Sequence, residues 1–146
     1  MIQLKLWKLS FLIGCSLILS LAGCGNLVET SYPDMEAVLQ AGALEQGWLP
    51  AFLPQSATNI REAHDLETRQ IWAAFELPFE TIEKLGEVCT QISVEQIQPP
   101  QSAPRWWNER ALTDPWNAFY VCQDASAKGY LAVVGSSEQA YYWSYR

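Results

Sequence analysis

The chain is poor in histidine, in cations and in long apolar runs. His64 is its single histidine, and four cysteines are the only thiols, which excludes most metal-rich scaffolds. Lys and Arg number 9 against 16 Asp and Glu, a formal net charge of −7. A nucleic-acid binder needs a basic face against phosphates, so that class is set aside. Only 17% of the 146 residues are charged, while 49% are hydrophobic and 12% aromatic. Such a chain is far from the polar composition that prevents folding, and its length suits one small domain.

Apolar continuity is also limited. After Lys5 and Lys8, the run from Leu9 to Leu21 is interrupted only by small or hydroxyl residues. It covers about 13 to 15 residues, short of the roughly 20 that a spanning helix needs. A positive start, a short apolar stretch and small residues at its end are the parts of an export signal.

The stretch closes on Leu21-Ala22-Gly23-Cys24. These four residues resemble the lipobox of bacterial lipoproteins. The resemblance implies that Cys24 receives a diacylglyceryl group, with palmitate-like acyl chains, and becomes the new N-terminus after cleavage of the Gly23–Cys24 bond. Leu12-Ile13-Gly14-Cys15 has a similar shape, but too little apolar chain precedes it. Two acyl chains make a stable anchor at about 0.8 kcal/mol per buried methylene. The expected organisation is a signal peptide over 1–23, a tether over 24–32 and one domain over 33–146. The expected location is the non-cytoplasmic side of a membrane. Gly25 stands where enterobacterial lipoproteins retained in the inner membrane carry Asp, so the same resemblance favours the outer membrane if the cell has one. Removing Lys5 and Lys8 with the leader leaves seven cations against 16 acids, a net of −9. The lipid, not the protein surface, must then hold the molecule to anionic headgroups.

The remainder reads as an α+β domain: an antiparallel sheet of about five strands, a hairpin plus a C-terminal meander, with helices packed on one face. Pro33, Asp34 and Glu36 suit the start of a helix reaching Glu45, with Gly47 placed to stop it. Pro50 and Pro54 forbid a regular element between them, and Trp48, Phe52 and Leu53 are expected to plug the core. Thr58–His64 and Gln70–Leu77 read as a hairpin joined at Asp65-Leu66-Glu67-Thr68. Phe79, Ile82, Leu85 and Cys89 fall on one side of a helix over 79–89, with Glu80 and Lys84 paired opposite. Gln91–Ile97 has the length of a short strand, and Gln98–Pro104 is a breaker segment. Runs at 118–123, 129–134 and 139–145 with short turns form the meander.

Cys89 and Cys122 remain once Cys24 is modified, and outside the cytoplasm such a pair tends to oxidise. A bridge from helix to strand is expected, the alternative being two buried free thiols. His64 lies between Glu62 and Asp65, and on a strand Glu62 and His64 share a face. No Gly-x-Ser-x-Gly or His-Glu-x-x-His pattern accompanies them, and a solvated hairpin end explains them equally well. No catalytic residue, metal or cofactor is therefore expected. Arg105, Trp106, Trp107, Arg110 and Trp116 are the most distinctive binding candidates, since Trp and Arg are enriched at hot spots. The alternative is that these rings complete a small core. Tyr141, Tyr142, Trp143 and Tyr145 place aromatics on both faces of the last strand, and those turned to solvent are expected to form one binding surface with the 105–116 loop.

The pattern W-L-P-x-x-L-P-x-S-A-x-x-I over Trp48–Ile60, followed by His64–Thr68, is similar to a family of small, uncharacterised bacterial lipoproteins. The likeness spans about 20 residues and carries over no activity. The expected role is a membrane-anchored, non-enzymatic binding or accessory module for an envelope protein or a glycan. The alternatives are a small envelope hydrolase using His64 with a neighbouring carboxylate, or a structural subunit of an envelope complex.

Overall fold

The computed structural model describes residues 26–124 and 127–145. The leader, Cys15 and Cys24 lie outside the described residues. Seven strands form one antiparallel sheet: β1 (Leu27–Asp34), β2 (Thr58–Asp65), β3 (Ile71–Glu76), β4 (Cys89–Ile92), β5 (Ala118–Asp124), β6 (Ala127–Val133) and β7 (Gln139–Tyr145). Their spatial order is β1-β2-β3-β7-β6-β5-β4. One register row crosses all seven, through Val28, His64, Ile71, Ser144, Gly129, Cys122 and Cys89.

This corrects the expected α+β arrangement of about five strands under a layer of helices. The helices are short: α1 (Met35–Ala41) and α2 (Phe79–Ile82). Residues 27–32, expected to be tether, belong to edge strand β1. Pro33 has no N–H for a second ladder, so it fits an edge strand and not the first helical turn. Asp34 caps α1 by accepting from the Ala37 N–H at 3.0 Å. The helix ends earlier than expected because Gly42 (φ 68°) takes the left-handed conformation that closes its last turn.

The expected helix over 79–89 also breaks up. After α2 the chain tightens into a 3-10 turn (Glu83–Glu87) and enters β4 at Cys89. Of the four apolar positions that suggested a single stripe, Leu85 and Cys89 are buried and Phe79 is exposed. Cys89 therefore reaches Cys122 from a neighbouring strand and not from a helix. The two are direct register partners with Cα atoms 4.3 Å apart, joined by a disulfide.

Both sheet faces are covered. On the first, α1, the 43–57 loop and Leu85 pack on Phe75, Leu77, Leu131, Val133 and Tyr142. Trp48, Phe52 and Leu53 plug this layer as expected. Gly129 leaves room for the Tyr142 ring, which a Cβ there would meet at 2.3 Å. On the second face, Trp107 and Leu112 pack on Trp72, Phe119, Tyr130 and Trp143. The covering layer is the 93–117 segment, with 3-10 turns at Val94–Gln96 and Glu109–Leu112. It is tied down where Trp143 Nε1 donates to the Gln98 carbonyl (2.8 Å) and the Tyr145 hydroxyl to the Pro99 carbonyl (2.6 Å). The C-terminal strand is thus central, and its aromatics are packing groups. Among the described residues no helix is long and apolar enough to cross a membrane.

Candidate functional site

Two concave places among the described residues bear on function. The first is built by β2. A β-strand sends alternate side chains to one face, so Glu62 and His64 emerge together beneath the 43–57 loop. His64 Nδ1 lies 2.5 Å from Glu62 Oε1. Neither is solvated: Glu62 is 0% and His64 4% exposed. The expectation of a solvated hairpin end is therefore corrected. Trp48 stacks on the imidazole with centroids 4.4 Å apart and planes at 13°.

Burial pushes the Glu62 carboxyl above its ordinary range, opposed by the hydrogen bond and charge of His64. Tyr32 is also raised, first by burial and then by the Glu62 charge. Among the described residues Glu62 Oε2 has no hydrogen-bond partner. His64 lines a cleft of about 270 Å³ with Gln46, Trp48, Asp65, Leu66 and Arg69. None of the side chains lining it is a hydroxyl, thiol or amine nucleophile. The pair resembles in form a carboxylate-oriented general base, but any attack here would have to come from water.

The second place lies in the 93–117 layer. Val94, Ile97, Pro99, Pro100 and Leu112 line a cavity of about 510 Å³, where Glu109 is the sole ionisable side chain. A shallower groove shares Ala103 and Glu109 with it and carries Arg105 and Arg110.

The structure separates the binding candidates. Trp107 is 8% exposed and packs edge-on against Tyr141 (5.4 Å) and Trp143 (5.8 Å), so it is a core ring. Trp106 is half-buried, with the Arg61 guanidinium 5.2 Å above its ring. Arg105 and Arg110 are exposed, and Trp116 is 87% exposed just before β5. Asn117 fixes that approach by donating to the Ala111 carbonyl (2.9 Å) and accepting from the Gly135 N–H (3.1 Å). Sequence reasoning missed the Trp48 stack and the apolar cavity. The dense prolines of 99–104 were the available signal for the cavity, because Pro99 and Pro100 form part of its wall. No group of three or more His, Cys, Asp or Glu among the described residues is placed to hold a metal ion.

Residues 27–76 match the family model of the YbbD head domain. The match runs from the start of β1 to the end of β3. It includes the Trp48–Thr68 stretch and the Glu62–His64 pair. The disulfide and the apolar cavity lie outside the YbbD head match. No curated protein and no solved structure matches the chain.

Proposed function

We propose that this chain is a lipid-anchored module of the cell envelope that binds a protein partner through the 93–117 layer. The observation that carries the binding reading is the apolar cavity beside Arg105 and Arg110. Ligand sites are concave and mostly apolar, with a few polar groups setting orientation. A glycan partner is less well served, because sugar stacking needs open aromatic faces. Trp107 is buried, Trp106 is covered by Arg61, and the exposed Trp116 lines neither the cavity nor the groove. Aliphatic and proline walls beside two guanidinium groups suit an apolar polypeptide segment flanked by carboxylates. The anchored reading rests on the resemblance of Leu21–Cys24 to a lipobox. It is supported by the Cys89–Cys122 disulfide, a bond that persists in oxidising compartments. Gly25 favours the outer membrane where one exists.

The test is photocrosslinking in the cell from position 97, followed by mass spectrometry. A protein adduct is expected. Arg105→Glu with Arg110→Glu should abolish it without changing thermal stability, since both side chains are exposed. A glycan adduct, or a protein adduct indifferent to the charge reversal, would contradict the reading.

A second reading, a small hydrolase, is favoured by the Glu62–His64 hydrogen bond at a cleft. There His64 would activate water while Glu62 holds the imidazole. It requires turnover of an envelope substrate that disappears in His64→Ala, and unaltered turnover in that variant would refute it.

A further inference from the structure

We propose that the end of the sheet carrying Asn26, Leu27 and the 65–70 turn lies directly against the bilayer, with the Leu66 side chain in the headgroup–acyl boundary. This rests on the anchored reading of Cys24 and adds an orientation to it.

The chain is fixed to the turn from Asn26 onward. The Leu66 N–H donates to the Asn26 carbonyl (3.0 Å), and Asn26 Nδ2 donates to Glu67 Oε2 (2.8 Å). Leu27 then pairs with Asp65. Only Gly25 separates this fixed point from the lipid-bearing Cys24. Two Cα steps span at most about 7.6 Å. The headgroup layer on each side of a bilayer is roughly 5–8 Å thick. A tether no longer than that layer leaves no room for the domain to stand away from it.

The surface at this end is suited to the contact. Leu66 is 64% exposed at the tip of the turn. Its acidic neighbours are already engaged: Asp65 Oδ1 accepts from the Glu67 and Thr68 N–H groups (2.8 and 2.7 Å), and Glu67 holds Asn26. Arg69 is exposed on the same turn, where a lipid phosphate would pair with its guanidinium. Exposed Val88 precedes Cys89, which shares the register row of His64 and Ile71, so it belongs to the same end. Trp116 precedes Ala118, whose register partner is Val133, at the opposite end. The orientation therefore turns Trp116 away from the membrane.

The test uses the exported, lipidated protein in phosphatidylcholine vesicles. Cys89 and Cys122 are bridged and the Cys24 sulfur carries lipid, so an introduced cysteine is the reactive thiol. Leu66→Cys and Trp116→Cys both alter exposed side chains and are labelled in turn with an environment-sensitive fluorophore. A spin label near the lipid headgroup should quench the label at 66 roughly fivefold more than that at 116, and aqueous iodide should show the reverse preference. Lipidated protein in which iodide reaches both positions equally would overturn the orientation alone. Protein that stays out of the detergent phase, with an unmodified Cys24, would overturn the anchored reading and the orientation with it.

Discussion

Replacing Cys89 and Cys122 together by alanine removes the covalent hold on β4, an edge strand of four residues whose one neighbour is β5. The two cysteines are 33 residues apart. In the chain-entropy view, cross-linking a loop of that length restricts the unfolded chain by about 4 kcal/mol. For a domain of about 120 residues this corresponds to a fall in Tm of roughly 12–16 °C. Urea denaturation of oxidised wild type and the double variant measures the loss, and the m value should rise as the unfolded chain expands. Amide exchange over Cys89–Ile92 should quicken more than over β3 or β7, because an edge strand without its staple opens locally. A stability loss below about 1 kcal/mol, with β4 still protected, would refute the argument that the bridge, and not strand pairing, holds this edge.

Burial raises the Glu62 pKa above its ordinary value of 4.5, so the folded protein holds that proton more tightly than the unfolded chain does. This contribution is present below the ordinary value and lost as pH rises through the raised one. Wild type should therefore lose stability relative to Glu62→Gln as pH rises from below the ordinary carboxyl value through the raised one, and urea midpoints that stay parallel over that rise would contradict it. Trp107→Ala should cost about 3–5 kcal/mol, whereas Trp116→Ala should stay within about 0.5 kcal/mol of wild type. Equal thermal shifts for the two would mean that the rings are misassigned. Gly129→Ala forces the Tyr142 ring aside and should cost about 1–3 kcal/mol by thermal denaturation.

The strands were legible where alternation was strict. In Ile71–Glu76, Ala73 and Phe75 join one core face and Trp72 the other, as the period of two requires. β1 was hidden because half of Leu27–Asp34 is polar and the strand gains its order from pairing with β2, a contact that no local pattern encodes. The 79–89 segment misled because apolar spacing over one helical turn also fits a 3-10 turn leading into a strand. At the sites, the shared face of Glu62 and His64 followed from strand geometry, but their burial depends on Trp48 arriving from a proline-bounded loop. Likewise, the inward turn of Trp107 depends on β7 being central to the sheet, which strand order alone decides.

The anchor is tested most directly by the intact mass of the protein extracted from the membranes of the cell that makes it. A chain that begins at Cys24 is expected, with the Cys89–Cys122 bridge closed and the mass of a diacylglyceryl group on Cys24. A chain that still carries residues 1–23, or a processed one without lipid, would contradict the anchored reading.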